Sequence, residues 1–488
     1  MVNKIIEEVL KGEKYIQGIN AVPVYIAAGP ESGNFGCKKY LGYNYSKFIM
    51  DFKNDYCDLY YDKEDLNHMF NEFLKRYKKD KKYLAWAYKK SKELEKQVIG
   101  FINKKIKEIP ETTNDLLLEY YKKLLFIFYD SFGISHLVEA IALSTDSLIK
   151  DSILKELDKK GLSSKFTEYF TKLTQTTRNF FFSDFNRNMK QMVDLVKAGK
   201  DYDSKELNVL VEKHIKRFFW IRSRWDVGKE YSKQDVIDEI KERIDKNEKI
   251  EITTDENLRH NKKIKKELIK ELNLDNNLVD IIELVDFVTF WQDERKGYML
   301  TGCWALEKFV QEIAKRFGVD PNNLKYLMDY EINEDSIKSA DLIKRRKGSA
   351  YLYLNDERAI VVDKDYLYLK GKLKKEEKDI SLKEFSGICA SIGKVIGKAK
   401  ICLNEKDISK VEEGDILITS MTRPEFVPAM KKAAAIVTDE GGITCHAAVI
   451  SRELKKPCII ATKIATKALK DDELIEVNAN HGLIKILR

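Results

Sequence analysis

The sequence predicts a multidomain protein in which a large, mostly α-helical N-terminal region precedes a C-terminal α/β domain. The chain has 488 residues, which is enough for about three domains. From about residue 62 to residue 285, apolar residues recur three and four positions apart, as they do in amphipathic helices. All 24 tyrosines precede residue 369, so the composition changes sharply before the C-terminal part.

Residues 1–60 predict an irregular N-terminal segment that contains strand. The apolar residues 21–28 have the composition of a strand, and they lead into the glycine-rich residues 29–36. A phosphate-binding loop needs Gly-Lys-Ser/Thr or G-x-G-x-x-G at the start of a helix, and neither pattern is present. We therefore interpret residues 29–36 as a surface turn.

Residues 61–370 predict a mostly helical region that binds an acceptor or docks a partner. Pro110 is the only proline between Pro30 and Pro321, so helices here can be long. Near the end of the region, residues 350–354 and 359–362 alternate around a polar pair, which predicts a β-hairpin.

Residues 371–383 are charged and contain no aromatic residue, which predicts a linker. The pattern of residues 384–488 indicates short strands separated by glycines, with two helices between them. They predict a separate α/β domain. A flexible linker would allow this domain to move relative to the rest of the chain.

Within the last domain, an apolar run of strand length at 434–437 is followed by Gly441 and Gly442 and then by a helical stretch containing His446. Thr444 is the predicted N-cap, which places His446 in the first helical turn. A helix start presents unpaired N–H groups and a partial positive charge, so it favours an anion. Glycines let the backbone adopt left-handed angles and let another molecule approach closely.

A neutral imidazole is a good nucleophile at cell pH. The pattern therefore predicts that His446 accepts a phosphoryl group, supported by Gly441, Gly442, Thr444 and Cys445. The alternative for a single histidine is a purely structural side chain beside a turn.

Residues 421–439, the Gly-Gly-Ile-Thr-Cys-His-Ala-Ala of 441–448 and residues 451–454 resemble the swivelling phosphohistidine (mobile) domain of the PEP-utilising enzymes. Phosphoenolpyruvate synthase, pyruvate phosphate dikinase, rifampicin phosphotransferase and phenylphosphate synthase share this domain. The resemblance implies that His446 is phosphorylated from a nucleotide or phosphoenolpyruvate. It also implies that the domain then swings to deliver the group, as in a phosphotransferase of dikinase type.

A looser resemblance covers residues 286–298, 306–317 and 324–332, which are similar to the helical segment preceding the mobile domain in rifampicin-phosphotransferase-like proteins. It implies that Glu294, Arg295 and Lys296 face an interdomain cleft. A solvated helix face is the alternative for these three residues.

Family members usually carry an ATP-grasp domain, but no stretch of residues 1–380 resembles its glycine-rich loop, basic residues and magnesium-binding carboxylates. We therefore expect no recognisable cofactor site on this chain. ATP and Mg²⁺ would act through a separate ATP-grasp-type protein, without which the enzyme is incomplete. The expected acceptor is an unidentified small molecule. The alternative function is a non-catalytic phosphocarrier or regulatory interaction module.

Charge and cysteine content exclude other classes. The 87 basic residues are interspersed with 79 acidic ones, as on a salt-bridged surface, so nucleic acid is not an expected partner. The seven cysteines have no metal-like spacing, and no metal site is predicted. The charged N-terminus and the lack of a long apolar run predict a cytoplasmic protein without membrane contact.

Overall fold

The computed structural model describes residues 2–26, 28–247, 250, 252–374, 383–422, 426–442 and 445–487. Up to Lys374 the chain forms helices around one antiparallel sheet, and from Glu384 it forms a second, mixed sheet with short helices. Among the residues described, no helix combines the length and the apolarity needed to cross a membrane.

The N-terminal region is mostly helical, as predicted. Its helices are α1 (Val2–Leu10), α2 (Pro23–Ile26), α3 (Ala28–Leu41), α4 (Lys63–Lys79), α5 (Lys82–Lys105), α6 (Asn114–Asp158), α7 (Phe166–Thr174), α8 (Phe181–Lys197), α9 (Lys205–Phe218), α10 (Lys233–Asp245), α11 (Asp255–Glu271), α12 (Asn276–Phe317), α13 (Pro321–Leu324), α14 (Glu334–Ser339), α15 (Leu342–Lys347) and α16 (Asp363–Lys374). Its strands are β1 (Lys14–Asn20), β2 (Lys47–Lys53), β3 (Tyr56–Asp62), β4 (Ser349–Leu354) and β5 (Glu357–Val362).

Two long helices, α6 with 45 residues and α12 with 42, run through this region. At about 1.5 Å per residue each is roughly 65 Å long. Thr113 caps α6 by accepting from the Leu116 amide, and Asp275 caps α12 by accepting from the Leu278 amide. The prediction of long helices between widely spaced prolines is confirmed.

The first sheet joins both ends of the N-terminal region. Its strand order is β1-β3-β2-β4-β5, and every neighbouring pair is antiparallel. The predicted hairpin at 350–362 is confirmed as β4 and β5. Because β2 pairs with β4, the first three strands of the chain share a sheet with this distant hairpin.

The glycine-rich residues 29–36 form part of helix α3, so the predictions of a strand at 21–28 and of a surface turn at 29–36 are wrong. Helix α3 packs closely against α6. A Cβ atom on Gly36 would lie 2.1 Å from the carbonyl carbon of Gly133. These glycines therefore allow two helices to approach each other, instead of reversing the chain.

The predicted linker at 371–383 begins inside the helix α16, which ends at Lys374, and residues 375–382 lie outside the described residues. The C-terminal domain then contains β6 (Glu384–Ser386), β7 (Ile388–Ser391), β8 (Lys394–Ile401), β9 (Ile416–Thr419), α17 (Val427–Lys432), β10 (Ala435–Thr438), α18 (His446–Glu453), β11 (Cys458–Ile460), α19 (Ala465–Ala468), β12 (Leu474–Asn478) and β13 (Leu483–Ile486).

The second sheet has eight strands in the order β6-β13-β12-β8-β9-β10-β11-β7. The central strands β8 to β11 are parallel, and the outer pairs are antiparallel. Both faces are buried, because Ile416 and Ile418 pack into one apolar cluster while Leu417 between them packs into another. The predicted C-terminal α/β architecture is confirmed.

Candidate functional site

The segment around His446 connects the central strand β10 to the helix α18, as the sequence indicated. The helix begins at His446, and Cys445 is its N-cap: the Cys445 thiol accepts from the Ala448 amide at 3.5 Å. The cap therefore lies one residue later than predicted, and Thr444 itself lies outside the described residues. Consequently His446 is the first residue of the helix, where backbone amides favour an anion.

Gly441 has a conformation that other residues rarely adopt, with φ of 107°. Space is also restricted there, because a Cβ atom on Gly441 would lie 2.7 Å from the Cys445 sulfur. The turn and the helix cap are therefore in direct contact. Gly442 is buried and lines the cavity described below.

Asp439 anchors the start of the turn. Its carboxylate accepts from the Thr462 hydroxyl at 3.0 Å and from the Thr466 amide at 3.2 Å. Next to it, burial and the neighbouring Asp439 carboxylate raise the pKa of Glu440 to about 8. Near neutral pH the Glu440 carboxyl is therefore mostly protonated, which lowers the negative charge beside the glycine turn.

His446 has a defined hydrogen bond to Thr422. The distance between the His446 Nδ1 and the Thr422 hydroxyl oxygen is 2.8 Å, and Thr422 is buried. Sequence reasoning did not single out Thr422, although it lies in the stretch 421–439 that carried the resemblance. Because the bond occupies Nδ1, the ring is held in one orientation.

A cavity of about 280 Å³ lies between the C-terminal domain and the N-terminal region. From the C-terminal domain it is lined by Gly441, Gly442, Cys445 and His446 together with Met421 and Thr422. The opposite walls come from strands β1 and β3, helices α6 and α12, and the segments 180–182 and 221–225. The two regions also touch directly, since the Gln17 amide lies 3.6 Å from the Met421 sulfur.

The structure places Arg295 and Lys296 in this cavity, but not Glu294. Successive residues of a helix point about 100° apart, so α12 cannot present all three to one cleft. Glu294 instead accepts from the Tyr88 hydroxyl and lies 3.5 Å from the Lys92 ammonium. Arg295 is buried, pairs with Glu139 and donates to the Ser135 carbonyl at 2.8 Å.

His136 on α6 also lines the cavity, and sequence reasoning missed it. Its side chain is buried, and its Nε2 lies 2.8 Å from the Tyr45 hydroxyl. Nδ1 has no hydrogen-bond partner among the described residues. Burial lowers the pKa of His136 to about 4, so the ring is neutral at cell pH.

The described residues contain no group of three or more His, Cys, Asp or Glu side chains arranged to hold a metal ion.

Residues 411–482 match the family model described as "PEP-utilising enzyme, mobile domain". The chain carries the mobile domain of the PEP-utilising enzymes. This match includes the β10–α18 segment with His446, and the domain resemblance expected from the sequence is confirmed.

Relatives of this chain include three proteins named as phosphoenolpyruvate synthases or probable ones. A probable phosphoenolpyruvate synthase from Archaeoglobus fulgidus is 48% identical over 130 residues, which are 26% of this chain and 17% of the relative. The phosphoenolpyruvate synthase of Pyrococcus furiosus is 45% identical over 138 residues, 28% of this chain and 16% of the relative. A probable phosphoenolpyruvate synthase from Methanothermobacter thermautotrophicus is 33% identical over 210 residues, 40% of this chain and 30% of the relative. The chain thus spans less than a third of the length of each of these relatives.

Proposed function

We propose that this chain is a phosphotransferase component of dikinase type, which relays a phosphoryl group through His446 to a small-molecule acceptor. One observation carries the proposal: His446 begins a helix in a mobile domain and lines a cavity whose other walls belong to the N-terminal region. A phosphoryl group on His446 would therefore reach a site formed by the N-terminal region.

The hydrogen bond to Thr422 supports Nε2 of His446 as the nucleophile, because it occupies Nδ1. With the proton on Nδ1 and donated to the Thr422 hydroxyl oxygen, Nε2 carries the lone pair. Nε2 attacks phosphorus, and the bond between phosphorus and the donor's leaving oxygen breaks. The helix start stabilises the added negative charge, since unpaired amides and the helix dipole favour an anion there.

We further propose that ATP and Mg²⁺ act on a separate ATP-grasp-type protein that phosphorylates this chain. Phosphoryl transfer from a nucleotide depends on bound cations and exact positioning of the polyphosphate. Residues 1–380 contain no glycine-rich loop with the accompanying lysine and carboxylates, and this supports a donor site on a partner.

The test is phosphoryl uptake by the full chain from Mg·ATP radiolabelled in its β- or γ-phosphate, with and without an isolated ATP-grasp domain from a phosphoenolpyruvate synthase. We expect acid-labile, alkali-stable label that requires the added domain and is absent from His446→Ala. His481→Ala is the matched control, since His481 is exposed in a different turn. Acid-labile label on His446→Ala would refute the assignment. Label from Mg·ATP on the chain alone would refute the need for a partner.

The second candidate is a carrier or regulatory module without an acceptor of its own. Label on His446 that is discharged only back to the donor protein, with no small molecule able to remove it, would favour that function.

A further inference from the structure

We infer that a second cavity between the two regions binds a small organic phosphate that carries hydroxyl groups. This ligand holds the C-terminal domain in the docked position, in which His446 faces the N-terminal region. The inference rests on the proposed function only for its kinetic consequence. Ligand binding and docking are measured separately, on the unphosphorylated chain.

The second cavity lies beside the C-terminal end of α18 and has a volume of about 680 Å³. One wall is formed by the end of α18, the residues that follow it and α17 of the C-terminal domain. The opposite wall is formed by residues 174–176, by parts of α8, α11 and α12 and by the segment before α11. Sites for small molecules typically have volumes of about 300 to 1,000 Å³, and this cavity lies within that range.

The two cavities are neighbours but have different linings. The residues that line both are Phe182, Thr289, Val449, Ile450 and Glu453. His446 and the glycine turn line only the first cavity. A ligand in the second cavity therefore lies against the opposite end of α18 from His446, and it is not placed to receive the phosphoryl group.

The cations of the second cavity all belong to the C-terminal domain. Lys431, Arg452 and Lys455 line it, and Glu453 is the only acidic lining residue among those described. Three cations and one carboxylate leave an excess of positive charge, which favours an anionic ligand. A phosphate monoester matches this excess, because it carries about −1.5 to −2 charges at pH 7 and offers three acceptor oxygens.

The wall from the N-terminal region is polar but uncharged. Most of its lining residues carry hydroxyl or amide groups, and none of those described is charged. Asn261 donates to the Thr176 carbonyl at 3.1 Å, which orients its amide, and its Oδ1 accepts no hydrogen bond from a described residue. The half-buried Gln175 amide likewise makes no side-chain hydrogen bond within the described part of the chain. Amide groups of this kind bind hydroxyl groups, which both donate and accept.

The two regions also touch at this cavity. Phe182 of α8 packs against an apolar cluster of each region. The Thr253 hydroxyl lies 3.4 Å from the Glu453 carboxylate. When the C-terminal domain moves away, its cations separate from the amide and hydroxyl groups of the other wall. A ligand that contacts both walls therefore binds the docked arrangement more tightly and shifts the equilibrium towards it.

This shift has a consequence for the proposed relay. The C-terminal domain must leave the N-terminal region to collect a phosphoryl group from its donor. A ligand that holds the domain in place therefore slows the labelling of His446 without contacting it. The second cavity is in this way a regulatory site, separate from the site of transfer.

Binding is tested by calorimetry on the full unphosphorylated chain with three probes. Ribose 5-phosphate carries the anion and the hydroxyl groups, ribose carries only the hydroxyl groups, and inorganic phosphate only the anion. We expect ribose 5-phosphate to bind at least about tenfold more tightly than either of the others. Equal binding of ribose would show that the cations are not used, and equal binding of phosphate would show an adventitious ion only. Either result, or no binding of ribose 5-phosphate, would overturn the inference.

The position of the ligand is tested with one variant in each wall. Lys455→Gln should weaken the binding of ribose 5-phosphate and of phosphate at least about fivefold. Gln175→Ala should weaken ribose 5-phosphate about three- to tenfold and leave phosphate unchanged. Lys398→Gln is the control, since Lys398 is an exposed lysine of β8 that lines neither cavity. Wild-type affinities in both Lys455→Gln and Gln175→Ala would place the ligand elsewhere and refute the site.

Docking is tested by hydrogen exchange with and without ribose 5-phosphate. We expect the ligand to slow the exchange of amides in α11 and in α18 together, in wild type and in Lys398→Gln. The effect should be weaker in Lys455→Gln at the same ligand concentration. Slower exchange on one side only would show that the ligand binds without holding the two regions together, which contradicts the inference.

The kinetic consequence is measured as the rate of label uptake from Mg·ATP with the added ATP-grasp domain. Saturating ribose 5-phosphate should slow uptake at least about threefold in wild type, and the same concentration should have less effect in Lys455→Gln. Unchanged uptake would show that the domain is not held. Discharge of labelled His446 by ribose 5-phosphate would make it an acceptor and refute the regulatory role. If His446 takes up no label under any condition, the proposed function fails, and the binding and exchange results decide the inference alone.

Discussion

Replacing Gly441 by alanine tests whether the turn before His446 is shaped by both backbone conformation and space. The change adds a single methyl group. At φ of 107° the added Cβ is strained by the backbone, and it would lie 2.7 Å from the sulfur of Cys445. The substitution leaves His446 and Thr422 untouched, so any loss of phosphoryl uptake would come from the displaced turn and helix cap.

The expected destabilisation has two parts. A side chain at a left-handed position costs about 1–2 kcal/mol. Overlap with the Cys445 sulfur adds about 1–3 kcal/mol, which is typical of an overpacked site. Replacing Cys445 by alanine as well removes the sulfur and therefore most of the second part, and Cys445→Ala alone measures the cost of the lost helix cap. Since the two residues are in contact, we expect a coupling of at least about 1 kcal/mol between the two changes.

Hydrogen exchange of the amides in β10 and α18 is the suitable measurement, because residues 384–488 contain no tryptophan or tyrosine to report on their unfolding. Adding Gly441→Ala to Cys445→Ala, which already lacks the helix cap, should accelerate exchange by a smaller factor than Gly441→Ala does in the wild-type background, and the uptake of label should follow the same pattern. Wild-type exchange and wild-type uptake in Gly441→Ala would show that the turn tolerates a side chain and that our account of it is wrong.

Three further predictions follow from the site and its surroundings. Thr422→Val should slow the labelling of His446 about five- to tenfold because the bond to Nδ1 is lost, and Thr422→Ser should restore it. Burial lowers the pKa of His214 from 6.5 to about 4, so the folded protein keeps the ring neutral while the unfolded chain protonates it. Above pH 6.5 this costs no stability, and stability is lost as the pH falls from 6.5 towards 4. This loss amounts to about 2 kcal/mol at pH 5. Urea unfolding followed by tryptophan fluorescence should show a pH dependence that is smaller by this amount in His214→Phe than in wild type, because the equally lowered pKa of His136 contributes in both proteins. With the pKa of Glu440 raised to about 8 from 4.5, stability should fall as pH rises through this range, and calorimetry should show a weaker dependence in Glu440→Gln.

The C-terminal domain was predictable because its signals are local. A strand, a glycine turn and a helix follow one another within residues 434–454, and the structure contains them in that order. Only the cap was misplaced by one residue, because a cysteine is a rarer helix cap than a threonine. The resemblance covers the stretch that contains Thr422, but it does not predict the hydrogen bond between Thr422 and His446.

The cavity walls in the N-terminal region were not predictable, because their partners are distant in sequence. His136 is defined by Gly33 and Tyr45, about a hundred positions earlier, and no local pattern marks that contact. The prediction of a surface turn at 29–36 was wrong for the same reason. The glycines there allow a close approach to Gly133, which lies on another helix. Local patterns give the type of an element more readily than they give its neighbours.

The division of the cavity walls between two regions has a kinetic consequence. While His446 faces the N-terminal region, its own domain forms one wall of the cavity. In the proposed relay, an acceptor would load while the domain is away at its donor, and the returning phosphorylated domain would enclose it. Steady-state kinetics would show an ordered sequence in which excess acceptor does not compete with the phosphoryl donor. The docked arrangement would also shield the phosphorylated histidine from bulk water, so that little phosphate would be lost by hydrolysis when the domain returns and no acceptor is bound.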